Sequence, residues 1–289
     1  FVQFRWFFSI AYGLSAVLMA FVSLLYFSAL AKVPQVALLH VCLCIAWGVR
    51  LAGFLAWREK FGGEEYKKRA GGFGKNTPLV RKVGTWLFVA VFDALLFCPA
   101  LFHLKTPTRF EMLAYAGVAI QFLGLIIESE ADKQKFAQKA ANPETFCSKG
   151  LFGLTRHPNY LGELVFWSGN YIAGLASLSG PAQIVLASLG IVAIFGVMLG
   201  ATNGLDRRQT LKYGALPAYS DYVKKTPKLL PFSGGDDLQQ LIKQAQTKQK
   251  SPETKGGDND ANGDAPGGAP GEPLSPRSVY EQNKKPWDM

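Results

Sequence analysis

The chain has 289 residues, 49% of them hydrophobic and 13% aromatic, and its 31 Lys and Arg against 21 Asp and Glu leave a formal charge of +10. That size allows one or two soluble domains, so the distribution of residues, not their total, decides the solvent. The basic excess sits in short connections between apolar runs, where it signals topology and attraction to anionic lipid and excludes a nucleic-acid footprint.

Residues 6–30 carry no charged side chain, a longer run than the ~20 residues that cross about 30 Å of hydrocarbon. Further apolar stretches occupy 36–57, 83–103, 112–127, 160–178 and 181–204. This pattern predicts an all-α, polytopic transmembrane bundle of about six spanning helices in a lipid bilayer. Glu163, Ser168, Gly169 and Asn170 interrupt the fifth stretch, and such groups at membrane depth need internal partners or a wet cavity.

The loop from 58 to 82 holds eight Lys and Arg, and the connection from 128 to 158 adds Lys133, Lys135, Lys139, Lys149 and Arg156. The opposite connections hold Lys32, Lys105 and Arg109. Positive charge is retained on the side of insertion, so the N-terminus, both basic loops and the C-terminal tail are assigned to the cytosolic, matrix or stromal side.

Three regions follow. Residues 1–35 form a first transmembrane helix and outer turn, 36–232 the main membrane domain, and 233–289 a tail rich in Gly, Pro, Asp and Lys. The last spanning helix should end near 205. The polar segment to 232 has helix-like spacing of Leu211, Ala215, Tyr219 and Tyr222. The tail buries too little apolar surface to offset its ordering entropy and should be disordered.

Gly196, Gly200 and Gly204 share one face of the sixth apolar stretch and would admit another helix closely. Arg50 and Asp93 lie about 12 Å and about 16 Å from the basic face at 1.5 Å per residue, close enough in depth for an ion pair.

Cys42, Cys44 and Cys98 lie in apolar runs, which excludes a disulfide framework, and His40, His103 and His157 are scattered without metal-ligand spacing. Gly71-Gly72-Phe73-Gly74-Lys75-Asn76 is not a phosphate loop, because Asn follows the Lys and no strand precedes it.

The densest polar grouping is Glu128-Ser129-Glu130-Ala131-Asp132-Lys133-Gln134-Lys135-Phe136, followed by Gly150-Leu151-Phe152-Gly153-Leu154-Thr155-Arg156-His157-Pro158-Asn159-Tyr160-Leu161-Gly162-Glu163. Glu128, Asp132 and Lys135 share a helix face. A helix that starts at Pro158 offers free backbone N–H groups, and Arg156 adds a planar fork suited to phosphate. His157 and Tyr160 add donors, while Asn159 and Glu163, four apart, could hold an amide or a ribose hydroxyl. These features predict an anionic-cofactor site; the alternative, a solvated helix end, accounts for the first run but poorly for the second.

These two runs, with Trp167-x-Gly169-x-Tyr171 after them, closely resemble the steroid 5-alpha-reductase-like membrane family, especially its uncharacterised branch. Sterol reductases and isoprenylcysteine carboxyl methyltransferases are more distant relatives. Arg50-Leu51, Gly63-Glu64-Glu65-Tyr66, Lys212-Tyr213-Gly214 and Pro227-Lys228-Leu229-Leu230-Pro231 extend the resemblance over 36–232.

The resemblance implies that Arg156, His157, Asn159, Tyr160, Glu163, Glu128, Asp132 and Lys135 bind cofactor, with Asp206, Lys212, Tyr219 and Tyr222 closing the pocket. It implies NADPH as cofactor and reduction of a carbon–carbon double bond in a sterol-like or other lipid enone. S-adenosylmethionine-dependent methyl transfer to a lipid-anchored carboxylate is the enzymatic alternative. Reductases of this kind use a Glu/Tyr pair on earlier helices as the acid; here Asp93 and Tyr66 are the candidates.

The non-enzymatic alternative is a reductase fold recruited into a membrane complex, with partners held by the tail and by Gly196, Gly200 and Gly204. The resemblance points to the endoplasmic reticulum, with a mitochondrial or plastid inner membrane as the alternative.

Overall fold

A computed structural model describes residues 4–30, 32–61, 78–230 and 236–250. Nine helices and no strands occur among them: α1 (Phe4–Leu30), α2 (Gln35–Phe61), α3 (Leu79–Lys105), α4 (Glu111–Ala141), α5 (Leu151–Leu154), α6 (Pro158–Leu175), α7 (Pro181–Tyr213), α8 (Pro217–Lys225) and α9 (Asp236–Lys250). Proline marks most of the starts. Pro158, Pro181 and Pro217 are first residues of α6, α7 and α8, and Pro34 and Pro78 directly precede α2 and α3. Its missing N–H costs nothing in a first turn, and its fixed φ suits the helix.

Five segments are long and apolar enough to cross a membrane: Ile10–Leu30, Gln35–Arg58, Leu79–Lys105, Glu111–Ala141 and Pro181–Tyr213. Their outer faces expose large apolar side chains such as Leu14, Leu18, Leu87, Phe122, Leu189 and Val192. Such a surface is stable against lipid and not against water. The fifth apolar stretch is helical, but its 18-residue α6 is not among these segments. It buries Leu164, Phe166, Trp167, Asn170 and Ala173 instead.

Two helices continue past the apolar runs. α4 extends through Asp132 and Lys135 to Ala141, and α7 passes the expected break near 205 to reach Tyr213. The tail also differs from expectation at its beginning, because Asp236–Lys250 is a helix. Leu238 and Ile242 of α9 are buried in a cluster with Tyr213, Tyr219 and Val223, and Leu238, Leu241, Ile242 and Ala245 follow helical spacing. Residues 251–289 lie outside the described residues, as does Tyr66.

The described chain separates into two compact units. The first contains residues up to Asp132 together with Asn159–Gly200; the second contains Lys133–Pro158 and the residues from Ala201 onward. Each is described by itself.

In the first unit, α4 and α6 run antiparallel with almost no side chain between them. A Cβ added to Gly117 would collide with Ala173, one on Gly124 with the backbone of Phe166, one on Gly162 with Glu128, and one on Gly169 with Gln121. The contacts advance by four, three and four residues along each helix, the spacing of a left-handed helix seam. Small residues at such positions let backbones approach and gain dispersion where no hydrophobic force separates helix from lipid. The close approach is therefore not at Gly196, Gly200 and Gly204. Among the described residues, nothing lies within 4 Å of a Cβ at any of these three.

Gly124→Leu is expected to part α4 from α6, costing roughly 1–3 kcal/mol or more as overpacking. Gly200→Leu should be neutral. Thermal unfolding in detergent checks this, and equal effects at the two glycines would contradict the seam.

Candidate functional site

The sequence-predicted residues fall into two constellations, one in each unit. In the first unit, Arg50 on α2 joins two carboxylates of α4. Its Nη1 donates to Glu128 Oε1 at 2.6 Å and its Nη2 to Asp132 Oδ2 at 2.7 Å. Trp47 Nε1 donates to the other Glu128 oxygen at 2.8 Å. Trp47 also stacks on Phe166 and meets Trp167 edge-on. Arg50 thus pairs with Glu128 and Asp132, in place of the expected Asp93. Equal depth along a helix says nothing about the face a side chain occupies, and Arg50 faces α4.

Asp93 lies 5% exposed on α3. Its Oδ2 accepts from Ser15 Oγ at 2.5 Å, and its buried Oδ1 has no hydrogen-bond partner among the described residues. One turn before Ser15, Tyr12 Oη donates to Glu163 Oε1 at 3.0 Å. Tyr12 and Glu163 are 151 positions apart, so no local motif announces them. Asn159, one turn before Glu163 on α6, has a buried Oδ1 with no partner among the described residues. The first unit therefore joins Glu128, Glu163 and Asp93 to three groups that sequence reasoning missed: Trp47, Tyr12 and Ser15, respectively. A faint signal exists for one of them, because Trp47 shares a face of α2 with His40, Cys44 and Arg50.

The second unit is organised by Arg156. Its side chain is 4% exposed. Nε and Nη2 hold the two oxygens of Asp206 at 3.3 and 2.8 Å, while Nη1 donates to the carbonyls of Val223 and Thr226 at 3.2 and 2.9 Å. Its backbone N–H donates to Pro227 O at 2.9 Å, and Thr155 Oγ1 donates to Lys228 O at 2.8 Å. Four of the five guanidinium N–H groups thus fasten α7, the last turn of α8 and the residue after it. The planar fork that suggested a phosphate ligand is used on a carboxylate of the same chain.

His157 Nε2 donates to Asp206 Oδ1 at 2.7 Å. Burial lowers its affinity for a proton below the ordinary value of 6.5, and this outweighs the opposing pull of Asp206, whose charge Arg156 already balances. Tyr219 reaches Thr210 Oγ1 at 3.3 Å, and Tyr222 donates to Phe152 O at 2.7 Å. Burial pushes both phenols well above 10, so they stay protonated donors. Lys212 Nζ meets Glu144 at 3.1 Å. Lys135 lies on the part of α4 that belongs to this unit. The preceding residue, Gln134, uses Oε1 to accept the Leu151 N–H at 2.9 Å, capping α5. Gly150 makes this possible, since its φ of 65° suits glycine and a Cβ would strike the Gln134 amide.

Two outcomes follow for this unit. Arg156→Ala leaves Asp206 buried with an uncompensated charge, and should destabilise by roughly 3–5 kcal/mol; Arg156→Ala/Asp206→Ala should recover part of that loss in thermal unfolding. Because the folded His157 binds its proton less readily than the unfolded one, the unfolded state takes up more protons below about pH 6.5, and stability falls as pH drops through that range. His157→Asn should remove this component of the acid profile.

The comparisons add family but no activity. An uncharacterized protein of Schizosaccharomyces pombe is 35% identical over 91 residues, which make up 31% of this chain and 25% of that protein. The match spans about a quarter of the relative's length. No solved structure matches the chain. A family model described as a protein of unknown function, DUF1295, matches residues 1–226, and the chain belongs to that family.

Proposed function

We propose that the protein is an NADPH-dependent membrane reductase that adds hydrogen across a carbon–carbon double bond conjugated to a carbonyl in a sterol-like or other lipid. The observation that carries this reading is the Tyr12–Glu163 hydrogen bond within a bundle whose outer surface suits lipid. A phenol held by a carboxyl group is an acid of the kind used by the reductases that the central motif resembles. Here α1 and α6 supply it.

The hydrogen-bond donors of the cofactor find a fitting acceptor. Asn159 Oδ1, buried with no partner among the described residues, suits a ribose hydroxyl or a carboxamide N–H, and satisfying it would remove the desolvation penalty of an orphaned carbonyl. Arg156 does not serve as the phosphate fork in this reading, because its N–H groups hold the chain together. NADPH, when bound, supplies a hydride to the carbon β to the carbonyl.

The protein's task is the proton. When Glu163 is protonated, its O–H donates to the Tyr12 oxygen and frees the phenol hydrogen for the substrate carbonyl. The phenol proton moves to the substrate, the Glu163 proton replaces it, and Glu163 is left as a carboxylate that accepts from Tyr12. That last arrangement is the hydrogen bond described above. Trp47, Arg50 and Asp132 fix Glu128, one turn along the seam from Gly124 and packed against Gly162, and so hold the start of α6 that carries Glu163. Asp93, joined to Ser15 one turn from Tyr12, is the alternative proton donor.

The test is NADPH binding and oxidation by the purified full chain in nanodiscs supplied with lipid extracts. Binding by wild type, Tyr12→Phe and Glu163→Gln, with turnover lowered about 10²–10⁴-fold in the two variants, is the expected result. Absence of NADPH binding at millimolar concentration would overturn the reading. Full turnover in Tyr12→Phe with loss in Asp93→Asn would move the acid to Asp93.

A further inference from the structure

The first unit holds a second buried polar cluster that the reductive chemistry leaves unused. His40 on α2 and His103 near the end of α3 are each 0% exposed, and their Nδ1 atoms lie 2.9 Å apart. His40 Nε2 is 2.9 Å from Asn170 Oδ1 on α6, and His103 Nε2 is 3.1 Å from Thr108 Oγ1 in the connection between α3 and α4. Asn170 Nδ2 donates to Leu96 O at 2.9 Å, so the orientation of this amide is set by a backbone carbonyl and its Oδ1 must face His40. Cys44 Sγ donates to the same Oδ1 at 3.6 Å, and Gln121 Nε2 donates to Cys44 Sγ at 3.4 Å.

These partners leave one consistent proton arrangement for the neutral pair. Asn170 Oδ1 can only accept, so His40 carries its proton on Nε2 and its Nδ1 is bare. The facing His103 Nδ1 must then carry the proton between the rings, which leaves His103 Nε2 bare and accepting from the Thr108 hydroxyl. The chain of donation runs from Thr108 to His103 to His40 to Asn170.

One more proton fits with the number of hydrogen bonds to the two rings unchanged. It enters at His103 Nε2, the bare nitrogen nearest the half-buried Thr108, and the hydroxyl rotates to accept from it. The proton between the rings can then move from His103 Nδ1 to His40 Nδ1. This carries the positive charge from one ring to the other while every donor keeps its acceptor. A second extra proton is excluded, because two N–H groups would face each other across 2.9 Å.

We propose that His103 and His40 form a one-proton site inside the bundle, loaded from the α3–α4 connection at Thr108, with the charge passed inward from His103 to His40. Ionisable groups at such depth commonly serve proton movement. The surroundings favour a shared proton over an ion pair. Among the described residues, both rings hydrogen-bond only to neutral partners. Cys44 is the titratable neighbour on α2, and α3 contributes His103 itself. α6 and α4 present the amides of Asn170 and Gln121, and Ala37, Val41, Phe97, Ala100 and Leu104 form the apolar cluster around Cys44 and these helix ends. Lys105 and Arg109, on either side of Thr108, are exposed. The site stands apart from the reductase reading and survives its failure.

The experiment is a histidine ¹⁵N NMR titration of the full chain in lipid nanodiscs, in which His157, the remaining histidine, serves as internal reference. The expected result is a neutral pair with a proton between the two Nδ1 atoms at pH 8. On acidification both rings should respond with one common midpoint and take up one proton together. Thr108→Val should weaken that uptake about tenfold, the effect of losing one hydrogen bond to a charged group. Two independent midpoints, uptake of two protons, or rings that stay neutral down to the pH of unfolding would overturn the proposal. An unchanged midpoint in Thr108→Val would overturn loading at Thr108. Should that variant fail to fold, the wild-type titration alone decides.

Discussion

The close approach of α4 and α6 is the constraint from which the interior of the first unit follows. Gly117 and Gly124 on one helix, and Gly162 and Gly169 on the other, remove the side chains that would hold the backbones apart. The residues between the glycines are then forced together. Gln121 meets Gly169, Glu128 meets Gly162, and Phe166 meets Gly124. Polar side chains placed there have no water to fall back on, so each must find a partner inside the bundle. Arg50 and Trp47 answer Glu128, Tyr12 answers Glu163, and His40 answers Asn170. The glycine seam and the polar interior are two consequences of one packing solution.

The second unit solves a different problem with one residue. Arg156 ties its own segment to α7 through Asp206 and to the carbonyls of Val223 and Thr226, and His157 completes the carboxylate. This is the centre of the Thr-Arg-His-Pro-Asn-Tyr run that dominates the sequence, and here its first half stabilises structure. A buried Arg satisfied by a carboxylate and two carbonyls is indispensable once in place, since removing either partner strands a charge. A distinctive motif is therefore not uniformly a ligand site. In the proposed reduction the chemistry would fall to Asn159 and to Glu163, a turn further along α6.

The helices were legible because the distance across a bilayer and the rise of a helix are both fixed, so charge-free runs translate directly into elements. α6 was legible as a helix, but whether it faces lipid or protein depends on its neighbours, and glycines hidden in an apolar run reveal their partners only in three dimensions. The same limit explains the Arg50 assignment, where depth was readable and azimuth was not. Gly196, Gly200 and Gly204 have the spacing of a contact face but meet no helix among the described residues. Tyr12, His40 and His103 were invisible as partners, because Tyr12 meets Glu163 across 151 positions and His40 meets His103 and Asn170 across 63 and 130. In α9, Leu238, Leu241 and Ile242 carried a helical signal that the polar composition around them masked.

The central claim is that the buried phenol–carboxyl pair serves reduction of a conjugated double bond, and isotope placement tests it most directly. Purified protein is supplied with NADPH deuterated at the transferable position, in ordinary water and then in reverse with unlabelled cofactor in heavy water, and the reduced lipid is read by mass spectrometry. The account predicts one deuterium from the cofactor on the carbon β to the carbonyl and one from solvent on the α-carbon. A lipid product bearing no cofactor-derived deuterium would contradict it.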